Sequence, residues 1–475
     1  MKQAVVLIHG IGEQKPMSTL RSFVGAVLDP LQDGEDAYWS KPDRMSESFE
    51  LRRLQARGRP TTHFYEYYWA YNVEGTTTWQ VLAWLLSLIR RTGKNVPEAS
   101  RSLWIVARTM TGLLAVLTAM GVLSRMRDWF ITQKVFGIIW VLVSAIALVL
   151  HFILVYYIGD AARYCSANPQ NIRLRQTIRS QGLSLLRTLH ESGEYDRIIV
   201  VGHSLGSVIG YDLISRLWQE YNEKYPGLQN NPETQAAIRT AMKEKASPQP
   251  VLRNVISQVG EALSDKSSKE DIEKFQKAQI DLWSELRGMG NPWLISDFIT
   301  LGSPLVHAML LLAESEDDFE SRKRQREFPT CPPQHDAKGY AYSDPQPVEV
   351  GEGKKFTPLF LHHAAPFAMT RWTNLYFPAF FGLFGDFVGG RLRPVLGNGI
   401  KDLRVRTRSW GGLAQYTLKA HTSYWNASDT EPPDTTSGDC ELSLIALKRA
   451  LALSDLRKYR IRHESKIDGT DGEEE

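Results

Sequence analysis

Arg197-Ile198-Ile199-Val200-Val201-Gly202-His203-Ser204-Leu205-Gly206-Ser207-Val208-Ile209-Gly210 passes from a β-branched run into Gly-x-Ser-x-Gly and then into a stretch of helical composition. A short run that is apolar throughout reads as a strand buried on both faces of a parallel sheet. The two glycines let the strand turn sharply into the helix, which sets Ser204 on a strained corner. Glycine and serine are common, so the pattern carries weight because of what flanks it, a β-branched strand before and a helix after.

Serine holds its proton at neutral pH and attacks a carbonyl only with a base in reach, itself oriented by a carboxylate. Ser204 is therefore the candidate nucleophile. The helix that follows favours negative charge at its N-terminus, and the Leu205 amide is placed to donate to an oxyanion. A second donor is expected from His9-Gly10-Ile11-Gly12-Glu13, where glycines permit a tight loop after the first strand and the Ile11 amide is the best candidate. His9 reads as a structural residue, since the base should come last in the order Ser, Asp or Glu, His. That order favours His421, in Lys419-Ala420-His421-Thr422-Ser423-Tyr424-Trp425, over His362, His363 and His307. Asp386, in Gly385-Asp386-Phe387-Val388-Gly389, is the preferred acid, with Asp402 as the alternative.

Outward from the elbow, apolar runs at Ala4–Ile8, Phe64–Trp69, Arg197–Val201, Asp297–Leu301 and Thr373–Tyr376 alternate with helical patterns. Alternation of this kind predicts an α/β fold with a mostly parallel central sheet flanked by helices. Residues 1–78 are read as the N-terminal part of that core and 161–221 as the part with the elbow. A strand and helix follow at 292–313, and the part with acid and histidine at 359–464. Residues 222–291, charged and helical in composition, are expected as a cap or lid. Residues 314–358, rich in charge, Pro and Gly, are expected as a polar surface loop, and 465–475 as a disordered acidic tail.

Residues 79–160 read as a membrane-associated insertion. Leu103 to Leu123 carries one charge, Arg108, and Val135 to Ile158 has no Asp, Glu, Lys or Arg. Each meets the requirement of about 20 apolar residues for a helix crossing a bilayer. The shorter run Trp79 to Ile89 suits an interfacial helix. The first strand begins almost at once, without the basic and small-residue signals of a leader. Motifs on both sides of the pair belong to one site, which requires an even number of crossings. The expectation is an integral membrane protein with its catalytic part facing the cytoplasm. Phe377, Phe380, Phe381, Leu383, Phe384 and Phe387 surround the acid and read either as core or as an apolar surface for a bilayer or acyl chain.

With 56 Lys and Arg against 53 Asp and Glu, the 475 residues carry a net charge of +3, which gives no reason to expect nucleic acid as a partner. The cysteines Cys165, Cys331 and Cys440 lie far apart, so neither a disulfide framework nor a zinc site is expected. The chemistry as read requires no metal or organic cofactor.

The chain resembles the α/β-hydrolase lipases and esterases related to GPI inositol-deacylase and similar bacterial serine hydrolases. The resemblance rests on HGIGEQ at 9–14, FYEYYWA at 64–70, IGDAARY at 158–164, IIVVGHSLGSVIGYDLI at 198–214, FITLGSPL at 298–305, RWTNLY at 371–376 and AHTSYW at 420–425. These cover the catalytic core but not the two charged insertions. It implies an α/β-hydrolase fold and a Ser–Asp–His triad that cleaves carboxylic esters of a lipid or acylated substrate. Ser204 and His421 match that triad directly. The acid departs from it, because Phe377 to Gly385 separates Asp386 from its strand. A hydrolase fold that serves only as a scaffold for a protein partner is the alternative.

Overall fold

The computed structural model describes residues 2–10, 15–28, 37–46, 48–58, 60–72, 169–224, 252–288, 291–337, 339–343, 348–349, 355–356, 359–380, 384–429 and 440–454, with scattered positions between 101 and 164. Nine strands form one sheet: β1 (Lys2–Ile8), β2 (Tyr38–Pro42), β3 (Arg52–Ala56), β4 (Thr61–Tyr67), β5 (Arg197–His203), β6 (Ile295–Leu301), β7 (Arg371–Tyr376), β8 (Lys401–Arg406) and β9 (Glu441–Leu442). Their spatial order is β9-β8-β7-β6-β5-β1-β4-β3-β2. The strands from β4 to β9 and β1 between them pair in parallel, and an antiparallel β2–β3 hairpin closes one edge.

Both faces of the sheet are covered, which explains why its central strands are apolar without alternation. Val6 and Ile8 of β1, with Ile198 and Val200 of β5, face the layer of α2 (Pro169–Glu191), α3 (Leu205–Lys224) and α5 (Lys269–Gly288). Val5 and Leu7, with Ile199 and Val201, face α1 (Ser18–Val27) and α7 (Ser443–Leu451). Between the faces, the N-terminal strand ends hold a buried polar knot. Asp297 accepts from Arg197 Nη2 at 2.6 Å and from Arg371 Nε at 2.7 Å. Burial raises the Asp297 carboxyl, but the two guanidiniums outweigh it and hold it below the usual range.

The segment expected as a cap is partly described. It contains α4 (Leu252–Glu261) and α5. Phe275, Leu282 and Trp283 of α5 are fully buried in the core, and Gln279 Nε2 donates to the carbonyls of Phe367 and Thr370 at 2.6 and 3.0 Å. This part of 222–291 is a covering helix of the sheet. The stretch expected as a loop at 314–358 likewise contains α6 (Glu316–Arg324), opened by Ser315 as an N-cap that accepts from the Asp318 amide.

The integral-membrane placement is corrected. Among the described residues no helix is long and apolar enough to cross a membrane. Apart from scattered positions, 79–160, with both candidate spans at 103–123 and 135–158, lies outside the described residues, as does the tail at 465–475.

Candidate active site

The parallel register carries the C-terminal ends of β1, β5, β6 and β7 to one edge, where the loops of an α/β sheet gather ligands. Ile8 pairs with Gly202, His203 with Leu301, and Leu301 with Leu375. The residues that follow these strand ends, His9, Ser204, Gly302 and Phe377, therefore adjoin one another.

Ser204 has φ of 51°. A side chain in this left-handed region costs about 1–3 kcal/mol, and such strain persists only where the surroundings impose it. Here the Ser204 amide donates to the Leu301 carbonyl at 2.9 Å, and its own carbonyl accepts from the Ser207 amide and hydroxyl at 2.9 and 2.6 Å. Ser207 also reaches Ser303 Oγ at 2.6 Å, tying α3 to the turn after β6. Helix α3 lies hard against β1: a Cβ on Gly206 would fall 2.1 Å from the Ile8 carbonyl oxygen. The Leu205 amide opens α3, where N–H groups have no partner one turn back and the helix dipole favours an anion. Gly10 abuts Ser204, since a Cβ there would sit 2.9 Å from the serine's Cβ. Ile11, the other expected oxyanion donor, lies outside the described residues.

Asp386 and His421 meet. Nδ1 of His421 lies 2.9 Å from Asp386 Oδ1. The same oxygen accepts the amides of Val388 and Gly389 at 3.0 and 2.9 Å, and Oδ2 accepts the Tyr424 hydroxyl at 2.6 Å. Burial alone raises this carboxyl, but His421 and the hydrogen bonds from His421, Tyr424 and Gly389 more than reverse it and hold Asp386 at about 2. An ionised Asp386 accepts a hydrogen bond from Nδ1–H, which leaves Nε2 as the basic nitrogen of the neutral ring. Gly302 makes room for the pair: with φ of 57°, a Cβ there would lie 2.8 Å from Asp386 Oδ2 and 3.0 Å from His421 Nδ1.

Two further residues hold this arrangement, and nothing in their spacing reveals them. His203 is buried, and burial above all pushes it down to about 3, with the neighbouring His421 adding to the effect, so its ring is neutral. Its Nε2–H donates to the His421 carbonyl at 2.7 Å. The residue before Ser204 thus anchors the backbone of His421, and the two rings lie 5.0 Å apart. Tyr424, three residues after His421, fixes the acid's second oxygen and accepts the Phe377 amide at 3.2 Å.

The alternatives fall elsewhere. Asp402 is buried and accepts the amides of Leu392 and Arg393, each at 3.0 Å, and Asn374 Nδ2 at 2.8 Å, so it closes the loop after β7. His9 donates from Nδ1 to the Gly10 carbonyl at 2.8 Å and stacks on Trp69. His362 bonds the Gln334 carbonyl, and His307 the Phe387 carbonyl beside the acid. His363 lines a separate cavity on the helical layer.

The phenylalanines near Asp386 divide. Phe377 is fully buried, whereas Phe384 is 56 % exposed. The short strand of Phe384–Gly385 packs against the 3₁₀ segments Ser409–Tyr416 and Leu418–Thr422, which contribute exposed Trp410 (61 %) and Leu413 (65 %). Lys419 Nζ lies 4.1 Å from the Trp410 ring centre. An apolar surface thus borders the segments that carry acid and histidine.

Compared with known protein families, with curated proteins and with solved structures, the chain matches none of them.

Proposed function

We propose that this chain is a serine hydrolase of the α/β-hydrolase type that cleaves carboxylic esters through an acyl-enzyme. The observation that carries the reading is the buried Asp386–His421 pair, its His421 carbonyl held by His203, which immediately precedes a serine at positive φ between strand and helix. Ser204 Oγ attacks the ester carbonyl and its proton passes to Nε2 of His421. Asp386 keeps the ring oriented and stabilises the imidazolium. The Leu205 amide, with the Ile11 amide assigned from sequence, meets the tetrahedral oxyanion. His421 returns the proton to the departing alkoxide, leaving acylated Ser204. Water, deprotonated by the same ring, then releases the carboxylic acid and restores the serine.

A lipid or acylated substrate is supported by exposed Phe384, Trp410 and Leu413 beside the acid and histidine segments, since exposed apolar clusters mark surfaces that meet apolar partners. The motif resemblance to lipases and esterases points the same way. The test is pre-steady-state hydrolysis of p-nitrophenyl butyrate. The reading expects a burst of one p-nitrophenol per chain and its loss in Ser204→Ala; turnover that survives Ser204→Ala refutes it.

A catalytically silent hydrolase-fold scaffold is the second reading. It is favoured by the burial of Ser204 and His421, at 2 % and 4 % exposure. No burst with any soluble ester, in protein of native stability, would select it.

A further inference from the structure

A cavity of about 620 Å³ lies on the helical layer, bounded by α2, α3, α6 and the turn that follows α6. Along α3 it begins at Val208, one helical turn after Ser204, and continues past Tyr211, Asp212, Ser215 and Gln219, a stripe at helical spacing. Five guanidiniums line it: Arg175, Arg179, Arg216, Arg322 and Arg326. Among the described residues only two carboxylates do, Asp212 and Glu327, which leaves a formal excess of three positive charges in the wall.

The acids arrange the arginines. Asp212 pairs with Arg179 and, at 3.1 Å, with Nε of Arg216, and it also accepts the Tyr164 hydroxyl at 2.8 Å. Arg322 pairs with Glu327 at 2.7 Å while lying 4.5 Å over the Phe328 ring. Arg326 pairs with Asp336 at 2.5 Å. A guanidinium carries five N–H donors, so one ion pair uses a fraction of its capacity and pre-orients the rest. The apolar part of the wall is Val208, Leu312, Phe328 and Pro329.

We propose that this cavity binds a phosphate ester, its phosphate among the arginines and its organic part against the apolar wall. Arginine forks match the paired oxygens of phosphate. The volume falls within the range of about 300–1,000 Å³ typical of small-molecule sites, far more than inorganic phosphate fills. A free phosphate ester and a phospholipid headgroup share this chemistry. The site is independent of the hydrolase reading, so binding should survive Ser204→Ala.

The test is calorimetric titration of full-length Ser204→Ala protein with phenyl phosphate and glycerol 3-phosphate, using chloride at matched ionic strength as the control. One saturable site per chain is expected, weakened at least tenfold in Arg216→Gln/Arg326→Gln. Should that variant fail to fold, Arg216→Lys/Arg326→Lys keeps the charge and loses the forks, and a several-fold weakening is expected. Cosedimentation with vesicles containing phosphatidic acid, but not with phosphatidylcholine alone, lost in the same variant, assigns the headgroup. Soluble binding without cosedimentation assigns the free ester. Absence of saturable binding by any of these probes, or equal binding by the variants, overturns the proposal.

Discussion

Replacing Asp386 with asparagine separates the charge of the acid from its geometry, because the contacts of this side chain dictate how an amide must sit. Among the described residues Oδ1 accepts three donors, the amides of Val388 and Gly389 and Nδ1 of His421, whereas Oδ2 accepts one, the Tyr424 hydroxyl. In Asp386→Asn the new amide oxygen should therefore occupy the Oδ1 place, and the NH₂ should face Tyr424, whose hydroxyl can accept. The imidazole keeps its tautomer and loses only the negative charge that stabilises the imidazolium. Opposite charges about 4 Å apart interact by about 4 kcal/mol at an effective dielectric constant of 20. At about 1.4 kcal/mol per decade this predicts a fall in kcat of about 10³-fold with little change in KM. The assay is steady-state hydrolysis of p-nitrophenyl butyrate, with folding checked by a urea melt. A kcat within tenfold of wild type refutes the role assigned to Asp386. A second readout follows from linkage. The folded-state value, about 2 against an ordinary 3.8, means that the ionised acid contributes stability at pH above 3.8. That contribution is lost as pH falls through about 2. It amounts to about 2 kcal/mol, so wild type should lose more stability than Asp386→Asn between pH 4 and pH 2.

Three other perturbations have defined outcomes. Ser204→Gly relieves the positive φ that Ser204→Ala retains, so after the entropic cost of glycine it should be the more stable by about 0.5–1 kcal/mol in urea unfolding; the reverse order contradicts strain at the elbow. Tyr424→Phe removes a 2.6 Å hydrogen bond to ionised Asp386, a bond of about 1.5–3 kcal/mol. Its kcat should fall roughly tenfold, and its acid unfolding should shift to higher pH because the carboxyl loses a donor. Trp410→Ser/Leu413→Ser removes exposed apolar surface at 61 % and 65 % exposure. It should lower turnover of an emulsified long-chain ester while leaving that of soluble p-nitrophenyl butyrate unchanged, as two parallel rate measurements would reveal.

The strands that sequence exposes are those whose physics is simplest. Ala4–Ile8, Arg197–Val201 and Asp297–Leu301 are buried on both faces, and their apolar runs reflect that. Lys401–Arg406 evades such a reading because only Val405 in it is buried. Tyr38–Pro42 is an exposed edge strand ending in proline, and Glu441–Leu442 is too short for any periodicity. The covering helix Lys269–Gly288 looks like a charged cap because Gln276 and Gln279 hide among its apolar residues. They are buried because they satisfy carbonyls at strand ends and loops, which composition does not register.

The candidate site divides in the same way. Ser204, Asp386 and His421 are candidates by residue type, local punctuation and chain order, and the fold brings Asp386 and His421 into contact. At the two ends of the apolar stretch that separates the acid from its strand, Phe377 is buried in the core and Asp386 is buried against His421. His203 and Tyr424 sit inside quoted motifs, but their roles depend on partners distant in the chain. His203 and the His421 carbonyl are 218 residues apart, and Tyr424 and Asp386 are 38 apart. Only the fold brings these together.

In the proposed function Ser204 is a nucleophile activated by His421. Labelling of the folded, full-length chain with a fluorophosphonate, followed by peptide mass spectrometry, tests it most directly. One covalent adduct on Ser204, slowed at least a hundredfold in His421→Ala, is the predicted result. An unlabelled chain, or an adduct on any other residue, would contradict it.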